Sequence, residues 1–502
     1  MEREYETIDS LEQPREDGHV RLTLRNGLIV TPGGVVRGGM IAEDGVIRHI
    51  GDDSSVPQDG ETIDAGGKLV IPGVIDPHTH IGVGPSDATI DRIKAGWESD
   101  SRGAAHKGIT TVISFQGGSP IPMREPHVPM LEQQIVWGEE VSYTDFALHA
   151  IMQTNEHLDE QEDLAARGVV GFKHFYTAYK PDKDLTADQI SIGYTDDGML
   201  YDSFSRLGEL RREGVPVLGM IHAEDADICA HLEGKLRAEG RNDLAAWGEG
   251  RPNVACLVRS EAAAEIAKVT GCPLYIVHVT TAEEVELVRR LRAEGVEVYG
   301  ETVIHYLTHT MDMEERHGCY PKVIPSIKSA ADREALWRGL ADGTLTTLGT
   351  DHCAWTKTEK EGAEARQFDN IWGALPGMPG MECLLPTLLT FGVRTGRLSI
   401  EQVATICSEN PARRFGLYPR KGVLQAGSDA DFVIVDLDKR ALVDDDYYEG
   451  WIRDWSVYHG WEFCGMPETT VVRGEIVAHR GEIVGQAGYG RYVGAAATNG
   501  SV

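Results

Sequence analysis

The run "VIDPHTHIGVG", Val74 to Gly84, ends an apolar stretch with an acid, a proline and two histidines one residue apart. Residues i and i+2 of a strand face the same side, so His78 and His80 can present both imidazoles to one ion. Imidazole nitrogen suits zinc and similar divalent metals. The same spacing also fits two polar loop residues after a strand.

Four more apolar runs end in groups of ligand type: Lys173 in "VVGFKHFYTAY", His222 in "GMIHAED", His278 in "YIVHVTT" and Asp351 in "LGTDHC". Singly, each has an ordinary explanation. A lone histidine after such a run is commonly a hydrogen-bonded core or rim residue, and an aspartate there can cap the next helix. Lys173 is the odd member. A lysine inside an apolar strand must be paired, neutral or modified, because an unpaired buried ammonium is costly. A neutral amine can add carbon dioxide to give a carbamate, an anion whose two oxygens can bridge two cations. The alternatives are snorkelling to the rim or pairing with an acid such as Glu224.

What would bring five strand ends together is a barrel. Eight short apolar runs follow residue 70: "VIDPHTH", "TTVISF", "DFALHAIM", "VVGFKHFY", "VPVLGMIHAE", "PLYIVHVT", "VEVYGET" and "TTLGTDH". Helical stretches such as "YDSFSRLGELRREG", "SEAAAEIAKVTG", "AEEVELVRRLRAEG" and "DREALWRGLADG" lie between them and end near glycines. This alternation predicts an α/β chain with a (β/α)8 barrel over residues 71–410, whose chemistry sits at the C-terminal ends of the strands. Residues 1–70 and 411–480 carry short strands and tight turns. Neither piece alone buries enough apolar surface, so the two chain ends are expected to form one small β-sandwich. Residues 481–502, rich in Gly and Ala, read as a tail ordered only against another subunit.

The 502 residues are more than one hydrophobic core usually serves. A formal net charge of −31 argues against nucleic acid or anionic membrane as partner. No apolar run approaches the ~20 residues of a membrane span, and the acidic N-terminus lacks a signal-peptide core. Eight cysteines without a CxxC pair point to reduced thiols and a cytoplasmic protein.

Together "PGVIDPHTH", "GFKHFYTAY", "IHAED", "YIVHVT", "GETVIHYL", "GTDHC", "PGMPGME" and "NPARRFGLYPRKGVLQAGSDADFVIVD" resemble the hydantoinase/dihydropyrimidinase/allantoinase branch of the amidohydrolase superfamily. The resemblance runs from about residue 20 to residue 480. It implies a TIM-like barrel with a β-sandwich, and a centre of two divalent metal ions, usually zinc. His78 and His80 match the first metal's histidines, Lys173 the carboxylated bridging lysine, and His222 and His278 the second metal's pair. Asp351 matches the aspartate that binds the first metal and shuttles the proton. The reaction implied is opening of a cyclic amide (hydantoin, dihydropyrimidine, imide or related lactam) by a hydroxide held between the ions. Members are often homotetramers, which would give the tail a docking role.

Three departures blur the substrate. The family's oxyanion-binding tyrosine falls at position 178, which is Ala here, leaving Tyr176 and Tyr179 as candidates. The ring-clamping stretch corresponds to "VIPSIK", with Ile324 in place of serine and Lys328 in place of arginine, which loses a planar donor fork. The loop "PGMPG" has Pro376 where asparagine is usual; its carbonyl remains available, its N–H does not. Ile81 and Gly82 stand where a dihydroorotase has its carboxylate-binding arginine. Alternative readings are an acyclic amide, carbamate or lactone on the same metals, a non-catalytic scaffold, and a mononuclear deaminase. Lys173 opposes the last.

Overall fold

The computed structural model describes residues 21–57, 61–84, 88–116, 127–176, 194–313, 317–362, 369–450 and 453–495. Five strands come first: β1 (Arg21–Thr31), β2 (Gly34–Glu43), β3 (Val46–Gly51), β4 (Glu61–Asp64) and β5 (Leu69–Pro72). The next eight are β6 (Val74–Thr79), β7 (Ile109–Gln116), β8 (Asp145–Ile151), β9 (Gly171–Tyr176), β10 (Leu218–Ala223), β11 (Leu274–Ile276), β12 (Val298–Val303) and β13 (Thr347–Gly349). Each falls within or over one of the eight apolar runs. The chain closes with β14 (Phe432–Leu442), β15 (Glu462–Val472), β16 (Glu475–His479) and β17 (Glu482–Ile483).

Strands β6 to β13 pair in chain order as one eight-stranded parallel sheet. The sheet curls into a barrel whose last seam is a single parallel bridge, with His80 N–H donating to the His352 carbonyl at 2.8 Å. The helices form where their caps and stops allow. The helix Asn253–Thr270 ends at Gly271, whose φ of 73° only glycine adopts readily. Ser329 caps Ala330–Ala341 with Asp332 reaching back, a complete capping box. Apolar side chains fill the barrel itself, among them Ile75, Ile113, Met220 and Tyr275.

The two chain ends form one mixed sheet in the order β17-β16-β15-β14-β5-β1-β2-β3, with β4 also on β1. Antiparallel pairing of β14 with β5, Phe432 opposite Pro72, joins the halves. Their shared core includes Leu24, Ile29, Met40, Phe432 and Ile434. A buried ion network locks this unit to the barrel. The Lys421 amine reaches Asp431 at 2.6 Å, Asp429 at 3.0 Å and Asp145 at the start of β8, and Arg473 pairs Asp145 from the other side.

The expected tail needs no second subunit as far as residue 495. Phe146 N–H donates to Arg491 at 3.0 Å, Val493 N–H returns a bond to Phe146 at 2.8 Å, and Ala495 N–H reaches Gly168 at 3.0 Å. Val493 packs with Phe415 and Leu417 against the barrel's interior residues. Among the described residues no helix is long and apolar enough to cross a membrane.

Candidate metal centre

Strand ends place five of the six sequence-predicted ligands side by side. The donor atoms of His78, His278 and Asp351 all lie within 4.8 Å of one another. His80 Nε2 is 3.3 Å from the same Asp351 oxygen that stands 3.1 Å from His78 Nε2. His222 joins from β10, its ring centroid 4.5 Å from that of His278. Lys173 enters from β9, its amine over the Phe115 ring at 4.6 Å and the Phe175 ring at 5.4 Å. The Phe115 ring also packs on both His78 and His80, so the six form one neighbourhood.

The backbone is unusual where the ligands leave their strands. His278 and Asp351 have φ of 39° and 49°, in the left-handed region that non-glycine residues avoid. Such conformations cost on the order of 1–3 kcal/mol each and cluster at functional sites.

Charge follows from burial and neighbours. Burial pushes the Lys173 amine down to about 8, against the pull of Asp351 and Glu301, so a neutral, nucleophilic fraction exists near neutral pH. Burial opposes the ionised form of Asp351, but His78 and His80 outweigh it and hold the carboxyl well below its usual range. Burial, then the neighbouring His222, drives His278 well below the ordinary imidazole value, leaving it neutral, the form able to bind a metal.

This donor set fits divalent metal. Imidazoles, a carboxylate and a lysine able to become a carbamate are a borderline-to-hard set suited to zinc and its neighbours. The buried Nε2 atoms of His78 and His222 have no well-aligned hydrogen bond, with Asp351 at 3.1 Å from the first and Glu224 at 3.8 Å from the second, and an ion would give both a partner. A second acidic trio, Asp145, Asp429 and Asp431, is not comparable, because the Lys421 amine already fills it.

Other expected site residues fall differently. Tyr176 lies three residues past Lys173 on the opposite face of β9, and its buried hydroxyl donates to Asp197. It is not brought to the ligands. Tyr179 lies outside the described residues. The Ile324 side chain packs among Trp247, Cys319, Ile371 and Ala374. The Pro376 carbonyl accepts the Trp355 indole N–H at 2.8 Å. Lys328 donates to Ser326 at 3.0 Å and to the Arg251 carbonyl. Glu224, the alternative partner for Lys173, is ion-paired with Arg251.

Sequence reasoning missed Glu301. It is the last but one residue of the seventh apolar run, is fully buried, and accepts from His78 Nδ1 at 2.6 Å and Tyr275 at 2.8 Å. The signal that singled out Lys173, a charged residue in an apolar run, applies to it equally. Asp76 was passed over too. Its carboxylate takes the Thr350 hydroxyl at 2.6 Å and the Thr350 N–H at 3.1 Å, tying β6 to the strand end that carries Asp351.

The amidohydrolase family profile matches residues 69–477. The chain is 34% identical over 472 residues to an L-hydantoinase of Paenarthrobacter aurescens, covering 94% of this chain and 97% of that one. It is 32% identical to an allantoinase of Deinococcus radiodurans, with 92% and 96% covered. Among solved structures, L-hydantoinase from Arthrobacter aurescens superposes with a TM-score of 0.84 at 32% identity, over 94% of this chain and 99% of that one. A dihydropyrimidinase from Brevibacillus agri gives 0.84 at 26% identity, over 95% and 99%. The chain therefore belongs to the amidohydrolase family and is a hydrolase of carbon–nitrogen bonds.

Proposed function

We infer that the enzyme opens a cyclic amide of the hydantoin, dihydropyrimidine, imide or lactam class on a binuclear metal centre. The observation that carries this reading is the convergence of His78, His80, His222, His278 and Asp351 from four strand ends, with the Lys173 amine on the same Phe115 ring as two of them. The names of the relatives support the ring-opening class. His78, His80 and Asp351 would hold one divalent ion, His222 and His278 the other, and Lys173 as a carbamate would span both. Bound there, the ions would supply hydroxide at neutral pH and polarise the substrate carbonyl.

The chain's own residues do the rest. Asp351, held ionised by its two histidines, is the proton carrier: it takes the proton from the attacking water and delivers it to the leaving ring nitrogen. A carbon–oxygen bond forms, the carbon–nitrogen bond breaks, and the product is a carboxylate with a free amide, ureido or amine end. Glu301 fixes His78 with Nδ1 protonated and Nε2 free for metal. The eight unpaired cysteines support the reading of a cytoplasmic enzyme.

The test is a panel of hydantoin, dihydrouracil, allantoin and succinimide beside open-chain amides, a carbamate and a lactone, with product identified and metal counted. Ring opening with two ions per chain is expected. Turnover of open-chain substrates alone, or ammonia as product, overturns the reading.

A further inference from the structure

Two buried lysines away from the ligands hold one loop by its backbone. Lys322 and Lys360 are 4% and 0% exposed. The Lys322 amine donates to the carbonyls of Trp372 at 3.2 Å and Ala374 at 2.7 Å. The Lys360 amine donates to those of Leu375 and Gly377, both at 2.7 Å, and to that of Lys322 at 3.0 Å. Three oxygens around one amine match the three N–H bonds of an ammonium. The Trp355 indole takes the Pro376 carbonyl between them, and Cys353 N–H takes that of Met378 at 3.1 Å. From 372 to 378, six of the seven carbonyls are therefore turned onto donors from outside the loop.

Carbonyl oxygens, and no carboxylates, surround both amines among the described residues. Each amine also lies over an indole ring, Lys322 over Trp247 at 4.3 Å and Lys360 over Trp455 at 5.4 Å, yet burying two lysines is an expensive way to secure a surface loop. It is reasonable where the position of the loop matters. This loop runs directly into the metal centre's framework. Met378 bridges to His352, and Gly380 and Met381 N–H groups donate to His352 Nδ1 at 3.2 and 3.3 Å, next in chain to Asp351. Gly377 sits so close to Cys353 that a Cβ there would meet its side chain at 2.7 Å.

We propose that Lys322 and Lys360 are positioning residues, a pair of amine clamps that set the 372–378 loop at the height from which it meets the substrate ring. The assignment rests on the cyclic-amide reading above and on the resemblance, which matches "PGMPG" to a substrate loop of the family. Because the clamp acts on the loop and not on the ligands, it governs binding common to ground and transition state, and its loss raises KM more than it lowers kcat.

Lys322→Met removes the donors and Lys322→Gln keeps an N–H donor without the charge; Lys360→Met is the second, more buried variant. With hydantoin and dihydrouracil, Lys322→Met is expected to raise KM ~10-fold while kcat and metal content stay near wild type, and Lys322→Gln to recover most of that loss. Amide hydrogen exchange over 369–381 should accelerate in Lys322→Met and Lys360→Met and stay unchanged elsewhere. Unchanged loop exchange, an unchanged KM, or a parallel fall in kcat and bound metal overturns the proposal. If the wild-type protein opens neither ring, the functional reading fails separately, and the exchange measurement still decides whether the amines hold the loop.

Discussion

Nδ1 of His78 stands 2.6 Å from Oε1 of Glu301, with both side chains completely shielded from solvent. Glu301 also accepts the backbone N–H of His278 at 3.2 Å, so one carboxylate orients a histidine expected at each metal. Glu301→Gln preserves volume but weakens the hold on both. Metal affinity is expected to fall ~10–100-fold, read by competition with a chromogenic chelator. Wild-type affinity in the variant would show that Glu301 does not orient the ligands.

Lys173 and Asp351 separate assembly from chemistry. Lys173→Ala should abolish metal loading, and short carboxylates in the buffer should restore part of it by replacing the carbamate. Asp351→Asn should keep some metal yet lose most turnover, ~10²-fold or more, because the proton carrier is gone. Metal analysis beside steady-state rates checks both. Full metal and full rate in Lys173→Ala would exclude a bridging role.

Buried His127 predicts a pH dependence of stability. Burial, then the charge of His157, whose tilted ring lies 3.7 Å away, push its imidazole down to about 3. In the unfolded chain it titrates near ~6.5, so between these values the unfolded state binds the extra proton. The contribution is complete above pH ~6.5 and is lost as pH falls below it, by about 2 kcal/mol at pH ~5. His127→Gln should lose less thermal stability than wild type between pH 7.5 and 5. Parallel melting curves across that range would refute the assignment.

Lys421 is the hub of the network joining barrel and terminal sheet. Lys421→Met leaves buried Asp431 without its cation, the half-buried Asp429 with Arg420 alone and Asp145 with Arg473 alone. A cost of ~3–5 kcal/mol is expected, seen as a lower urea midpoint. A midpoint within error of wild type would mean that Arg473 and water compensate.

Much of this was legible in the chain. Strand β12 and its seven companions announce themselves as short apolar runs, and the barrel rule sends their last residues to one place. Tyr176 was legible as well. Alternation from Lys173 puts residue 175 on the ligand face and 174 and 176 on the other. Glu301 carried the same signal as Lys173, a charge in an apolar run, but "GET" also reads as a polar turn until its burial is known. The lysine clamp has no sequence signature, because Lys322 and Lys360 meet the loop through backbone oxygens that every residue carries. The route of residues 484–495 was equally silent, since Gly and Ala offer no period and their hold is again main-chain bonding.

The pairing of β5 with β14 has a cost during synthesis. One edge of the N-terminal sheet is made early, while its partner leaves the ribosome only after the entire barrel. Until then β5 offers unpaired main-chain groups to any neighbouring chain, the situation in which strands add to the wrong molecule. Yield should thus depend on how quickly translation delivers residues 432–435, and slow codons or pauses within the barrel are where aggregation during expression would begin.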